Sequence, residues 1–190
     1  MKTLAHAACT LVVALAAVSP AAAQLGPQRP VRIGFGGGVS VPVNNAADAL
    51  KSGINGQAFM LVNAGGIPLR FNLGYQKLDI KQALTAAATG ESTILSGLAG
   101  LNFDLLRGGP VTPYVTAGVG VFNLKDELTG TLATSTSQTK FGVDGGAGLR
   151  LRLGPLEAFA EGRVQNIWTE KGAIDAATIR TVPVTFGVIL

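Results

Sequence analysis

Hydrophobic and polar residues alternate with a period of two along most of the chain, which is the pattern of β-strands with two unlike faces. In residues 140–152 the even positions are charged or glycine, and the odd positions are almost all apolar. The segment 56–63 alternates poorly, and topology rather than pattern predicts a strand there. The same alternation predicts five further strands, within residues 31–41, 69–76, 92–105, 113–123 and 156–164.

The connections between these segments alternate between short and long. Glycine and proline mark short turns at 65–68, 107–110 and 154–155. Short turns on one rim and long loops on the other are typical of transmembrane barrels. The arrangement therefore predicts an all-β fold, an eight-stranded antiparallel up-and-down transmembrane β-barrel. The long connections fall near residues 43–53, 78–91, 125–138 and 169–178.

The turn at Gly154-Pro155 predicts the register of one hairpin. A type II′ turn needs a positive φ at its first central residue, which glycine adopts, and the fixed φ of proline fits the second. This register places Arg152 opposite Glu157 and keeps the polar residues of both strands on one face. A slip by one residue would mix the two faces, so the pattern supports a single register.

The first 23 residues predict a cleaved signal peptide rather than part of the fold. A positive start precedes an apolar core at 11–18, and the small residues at 21–23 fit a cleavage site. Residues 24–30 are predicted to be a linker, and residues 31–190 the outer-membrane barrel. An exported barrel in an outer membrane implies the envelope of a Gram-negative bacterium.

Cleavage would remove Lys2, His6 and Cys9, leaving a mature chain without histidine or cysteine. The formal charge of +4 would become +3, because Lys2 is the only charged residue removed. The positive charge is spread along the chain, so the sequence predicts no nucleic-acid partner. Without histidine and cysteine it also predicts no cofactor and no metal site.

The composition decides where the apolar face lies. Charged residues make up 14% of the chain, against about 25% in ordinary soluble domains, and the mean hydropathy is +0.39. The polar face is crowded with glycine, which suits a narrow interior better than a solvated exterior. The apolar face is therefore predicted to meet lipid. The rival is a periplasmic lipocalin-like barrel, which would have its apolar face inside.

An eight-stranded barrel has an interior that its side chains just fill. Unpaired charges in such a space are costly, so the inward charges are predicted to pair in a structural network. The ten residues of this predicted lumen network are Arg32, Arg70, Asp104, Lys140, Asp144, Arg150, Arg152, Glu157, Glu161 and Arg163.

Three segments resemble the late strands of small outer-membrane barrel proteins, the opacity-protein and OmpA/OmpX-like group. They are PYVTAGVG at 113–120, GGAGLR at 145–150 and AEGR at 160–163. The resemblance covers residues 24–190 and is strongest from Pro113 onward. It implies an outer-membrane location in contact with lipids.

The last segment, VPVTFGVIL at 182–190, resembles the terminal strand of that family. The resemblance implies that Phe186, Val188 and Leu190 form the strand that the barrel-assembly machinery recognises. Family members commonly end on an aromatic residue, whereas this chain ends on Leu190.

Two aromatic residues are candidates for interfacial anchors. Trp168 lies at a strand-to-loop junction, and Tyr75 lies near the end of a predicted strand. Aromatic side chains of this kind are enriched at membrane–water interfaces. Simple packing is the alternative for both residues.

The sequence predicts no catalysis. A serine or threonine nucleophile needs an adjacent base, and the mature chain has no histidine. Glu157 and Glu161 could act as an acid and base pair, but they lie among arginines that favour a structural role. The predicted function is a noncatalytic structural or surface-exposed role in the cell envelope, with an unknown extracellular partner. A narrow passive channel for water, ions or small solutes is the first alternative, and the periplasmic ligand-binding barrel is the second.

Overall fold

The computed structural model describes residues 31–81, 89–106, 109–129, 134–168 and 178–190, so the predicted signal peptide and linker lie outside the described residues. Its elements in chain order are β1 (Val31–Val43), α1 (Asn45–Ala49), β2 (Gly53–Ala64), β3 (Ile67–Ile80), β4 (Thr89–Asp104), β5 (Val111–Thr129), β6 (Thr134–Leu153), β7 (Leu156–Trp168) and β8 (Thr178–Ile189). Each strand pairs antiparallel with the next, and β1 pairs with β8 to close the barrel. The predicted fold class is confirmed.

The β6–β7 hairpin has the register that the sequence predicts. Arg152 pairs with Glu157, and Gly154 in the turn has a φ of 68°. The β2–β3 turn also contains glycines with positive φ, Gly65 at 60° and Gly66 at 90°. These turns lie at one end of the barrel, here called the turn rim. The opposite end carries the connections after β1, β3, β5 and β7 and is called the loop rim.

β5 and β6 continue well beyond the strands that alternation predicts. Most of the connection predicted at 125–138 is strand, because β5 extends to Thr129 and β6 begins at Thr134. Lys125 pairs with Ser137 within this extension. Backbone pairing does not require an apolar face, and the outward side here is polar at Lys125 and Ser137, so the alternation fades before the strands end.

β2 exists despite its poor alternation. Phe59 and Leu61 are buried on the inward side of this strand, while Ile54 on the outward side is 61% exposed. Both faces of β2 are therefore partly apolar, and for this reason apolar and polar residues do not alternate clearly in its sequence. The inward apolar residues pack near Phe159 of β7, whose ring lies 5.3 Å from that of Phe59 in an edge-to-face arrangement.

The connection after β1 contains the five-residue helix α1 and folds across the loop rim. The backbone N–H of Lys51 donates to the Asp79 carbonyl at 2.7 Å, and that of Lys81 donates to Ala49 at 2.8 Å. These bonds tie the segment to the end of β3 and hold Leu50 inward. Among the described residues, no helix has the length and hydropathy needed to cross a membrane.

The outer surface carries an apolar band. Five or more alternating outward positions on a tilted strand cover the roughly 25 Å apolar height of a transmembrane barrel. The exposed residues of the band include Val31, Ile33, Phe35, Val39, Ile54, Phe71, Leu73, Leu95, Phe103, Val119, Val121, Phe141, Leu149, Leu151, Val164, Phe186 and Val188. Toward the loop rim, outward positions become polar at Lys77, Thr93, Asn123, Thr139, Asn166 and Arg180.

The interior is narrow, and inward glycines make room for its larger side chains. A Cβ atom at Gly148 would lie 2.5 Å from the Tyr114 ring, and one at Gly142 would lie 2.6 Å from the Phe122 ring. The outward Gly162 has no atom within 4 Å of the position that its Cβ would occupy. Glycine on the polar face therefore reflects crowding inside the barrel, as the sequence predicts.

Candidate functional site

The barrel interior is the candidate site, and β7 crosses each of its layers. From the turn rim to the loop rim, the odd positions of β7 face inward. Because the character of these residues changes along the strand, the interior is divided into a charged part, a neutral polar part and an apolar part. The inward residues of β7 are Glu157, Phe159, Glu161, Arg163, Gln165 and Ile167.

The first charged layer lies next to the turn rim. Arg32 of β1 donates to Glu157 at 2.9 Å. Arg150 of β6 forms an ion pair with Asp104 of β4 and lies 3.8 Å from Glu157. The guanidinium of Arg150 also stacks 4.8 Å from the centre of the Tyr114 ring. Four strands are therefore joined across the barrel by charged side chains.

The second charged layer centres on Glu161, which is 2% exposed. Arg70 of β3 forms an ion pair with this carboxylate and also donates to it at 3.0 Å. The Tyr114 hydroxyl donates to Glu161 at 2.9 Å, and the Gln57 amide donates at 3.1 Å. Charge-assisted bonds of this kind are stronger than neutral ones. Glu161 therefore accepts from three strands at once.

Arg163 and Asp144 complete the second layer. They form an ion pair between β7 and β6, and Arg163 also donates to the Gln57 side chain at 3.2 Å. Both residues are buried, with exposures of 4% and 5%. The Arg70 guanidinium is covered on one face by the Phe59 ring, 4.0 Å away.

Eight of the ten charges predicted for the lumen make up these two layers. Four are arginines and four are carboxylates, so the two layers are formally neutral. Arg152 forms an ion pair with Glu157 at 3.9 Å, as the predicted network requires, but its side chain is 63% exposed and lies outside the enclosed interior. It immediately precedes the β6–β7 turn, where the alternation continues but the enclosed interior has ended. Lys140 is half-buried on β6 and lies outside the two layers.

A neutral polar layer lies above the charges. Gln76 donates to Gln165 at 2.6 Å, and Thr181 donates to the same Gln165 oxygen at 3.3 Å. The Ser40 hydroxyl of β1 donates to the Gln76 side chain, so β1 is joined to the same row of hydrogen bonds. Sequence reasoning missed these residues because it selected inward charges only. Their signal was present, since each occupies an inward position of its strand.

The interior is apolar toward the loop rim. Leu50, which follows α1, packs into a cluster contributed by β3, β4, β5 and β7. The cluster closes the barrel beneath α1. Its buried members are Leu50, Leu78, Ile94, Leu98, Phe122, Leu124 and Ile167.

Ion pairs and close packing occupy the described interior. In the described part of the chain, no group of three or more histidine, cysteine, aspartate or glutamate residues could hold a metal ion. The acid and base candidates Glu157 and Glu161 both engage arginines. The space between Arg70, Leu98 and Thr116 is too small to hold a water molecule. These side chains support a packed structural core.

The predicted anchors and the terminal strand face outward. Tyr75 is 42% exposed and is the last residue of the apolar band on β3, directly before the outward Lys77. Trp168 is 50% exposed and lies above the polar Asn166, beyond the band on β7. The geometry of Tyr75 fits an interfacial position more closely than that of Trp168. The outward residues at the end of the chain are Phe186, Val188 and Leu190, exposed by 60%, 44% and 49%.

Comparisons with known proteins agree with this geometry. The Neisserial surface protein A structure superimposes with a TM-score of 0.61 at 17% identity, covering 85% of this chain and 97% of that one. A major outer membrane protein from Thermus thermophilus gives a TM-score of 0.57 at 13% identity, covering 85% and 99%. No curated protein sequence matches the chain. The family model for the outer membrane protein β-barrel domain matches residues 8–188. The chain therefore belongs to the outer membrane protein β-barrel domain family.

Proposed function

We propose that this outer-membrane barrel is a noncatalytic, nonconducting envelope protein that presents its loop rim to the cell exterior. The observation that carries the proposal is the filled interior. Two charged layers, a neutral polar layer and an apolar cluster follow one another along β7. A channel would need a continuous wet path through all of them.

The charged layers support a closed lumen. The arginines and carboxylates of the two charged layers are equal in number and engage one another across the barrel. Separating such pairs would leave buried charges uncompensated, which costs several kcal/mol per ion. The apolar cluster around Leu50 forms a second block at the loop rim. The channel alternative therefore requires two independent rearrangements.

The noncatalytic part of the proposal is supported by side-chain chemistry. The only histidine is His6, within the predicted signal peptide. Glu161 is held by Arg70, Gln57 and Tyr114, which leaves it poorly placed to act as a base. The fold offers rigid strands and exposed connections, on which surface proteins carry their function.

We also propose export by the predicted signal peptide and assembly through the terminal strand. The outward positions of Phe186 and Val188 on β8, and of Leu190 directly after the strand, support the second part. β8 pairs with both β1 and β7, so its placement closes the barrel. A machinery that recognises this strand would therefore act on the step that completes the fold.

Conductance tests the closed lumen. The full-length gene product, purified from outer membranes and inserted into a planar bilayer, is expected to show no steady current. The variant Leu50→Ala with Phe122→Ala is expected to remain silent, because the charged layers block the barrel independently. A mobility shift on heating in detergent verifies that each sample is folded. Steady conductance of the folded wild type would overturn the proposal in favour of a passive channel.

Cysteine labelling tests the orientation, because the mature chain is predicted to have no cysteine. Lys51→Cys at the loop rim is expected to react with a membrane-impermeant maleimide on intact cells. Leu106→Cys, at the turn rim where Leu106 is 67% exposed, is expected to react only after lysis. The unsubstituted protein is the blank. The reverse pattern would contradict an outward loop rim.

A further inference from the structure

The outer face of β5 and β6 carries an ordered polar cluster immediately above the apolar band. The Asn123 amide donates to the Thr139 hydroxyl at 3.0 Å and to the Ser137 hydroxyl at 3.2 Å. The Ser137 hydroxyl returns a bond to Asn123 at 3.3 Å. Asn123 and Thr139 are also directly paired across the strands. These three side chains are called the β5–β6 patch.

Large apolar residues lie directly below this patch on the same face. Val121 pairs with Phe141 across the two strands, one outward position below Asn123 and Thr139. Phe141 is 73% exposed and Val121 is 42% exposed. The polar patch and the apolar pair thus form one continuous amphipathic surface on a single, rigid strand pair.

We infer that the β5–β6 patch binds the sugar headgroup of a glycolipid in the surrounding leaflet. A lipid whose acyl chains lie against Val121 and Phe141 must place its headgroup at the height of Asn123 and Thr139. The inference rests on the proposed outer-membrane orientation, which puts this patch in the outer leaflet. The occupant is therefore a molecule that the membrane already supplies at this position.

The chemistry of the patch suits a sugar headgroup. The Thr139 hydroxyl accepts from Asn123, which leaves its own proton to donate to a ligand. Amide and hydroxyl groups exchange hydrogen bonds with sugar hydroxyls, which act as both donors and acceptors. Because Asn123 is already fixed by two neighbours, binding loses little side-chain freedom. The long extension of β5 and β6 holds the patch rigid beyond the band.

A second polar pair at the band edge provides a matched control. On β7 and β8, Arg180 donates to the Asn166 side chain through two nitrogens, both at 3.3 Å. Asn166 and Arg180 are exposed cross-strand partners, like Asn123 and Thr139. Asn166 hydrogen-bonds to a guanidinium rather than to hydroxyls, and its partner on β6 is Val143, two outward positions from Thr139. Asn166→Ala therefore removes a similar bond outside the proposed site.

The test measures lipid-dependent thermal stability of the purified barrel in vesicles. Vesicles contain phosphatidylcholine alone, with phosphatidylglycerol, or with rough lipopolysaccharide as the sugar-headed probe. The wild type and Asn166→Ala are expected to gain melting temperature with rough lipopolysaccharide and little with phosphatidylglycerol. The double variant Asn123→Ala with Thr139→Val is expected to lose most of that gain. In a competition between lipids, the double variant should bind rough lipopolysaccharide roughly tenfold more weakly than the wild type does, equivalent to ~1.4 kcal/mol.

The outcomes separate this inference from the proposed function. Equal loss in Asn166→Ala, or an equal gain from phosphatidylglycerol, would show a general response to headgroups and overturn the inference. An unchanged gain in the double variant would also overturn it. Neither result would affect the closed lumen, which conductance tests. Thr139→Ser, which keeps the hydroxyl, should retain the gain and exclude a simple loss of folding.

Discussion

Replacing Glu161 with glutamine is expected to lower the free energy of unfolding by ~3–5 kcal/mol. The carboxylate is buried and accepts from Arg70, Tyr114 and Gln57. Glutamine keeps the shape but removes the negative charge, so Arg70 loses its ion-pair partner inside the barrel. Urea unfolding in lipid vesicles measures the effect. The sole tryptophan, Trp168, is the fluorescent reporter.

The matched control is Glu91→Gln. Glu91 forms an ion pair with Lys77 at 2.9 Å, but the two side chains are 49% and 39% exposed. Solvent and salt screen exposed pairs of this kind, which contribute little to stability, so the control should unfold nearly as the wild type does. Similar small losses in both variants would show that the interior is wet enough to solvate Arg70. That result would also weaken the case for a closed lumen.

Alternation in the sequence separated the two faces of most strands, and composition together with the glycine-rich polar face predicted which of them points inward. It placed Arg70, Glu161 and Arg163 on one surface, because the period of a strand is two and a hairpin register fixes opposing partners. Alternation carries no information on depth along the barrel axis. For that reason it grouped Arg152 with the interior charges, although Arg152 lies at the rim. Depth depends on where each strand ends.

The apolar interior near the loop rim was harder to foresee. Phe122 and Leu78 occupy inward positions, so they weaken the polar pattern that identifies the lumen. Leu50 belongs to a connection rather than a strand, and only the backbone bonds to β3 bring it inward. Such contacts between distant segments have no local signature. β2 shows the same effect, since its inward Phe59 makes both of its faces apolar.

A methyl group added at Gly38 is expected to destabilise the barrel by ~3 kcal/mol, at the upper end of the usual cost of overpacking. The Cβ of alanine there would overlap the carbonyl oxygen of Val184 on β8. Backbone atoms of a paired strand cannot rotate away as a flexible side chain can. The seam between β1 and β8 must therefore open locally, and this seam closes the barrel. Urea unfolding in vesicles and the temperature of the gel mobility shift should both fall.

Gly162→Ala is the matched control, because nothing lies within 4 Å of the position of its added Cβ. Glycine within a strand costs roughly 0.5–1 kcal/mol relative to alanine, so this variant should be as stable as the wild type or slightly more so. The contrast isolates steric crowding from strand propensity, since both variants make the same chemical change. Equal changes in stability at the two positions would mean that the inward glycines are not required by a narrow lumen. A large loss at Gly38 alone would show that the space inside the barrel limits which residues its inner face can carry.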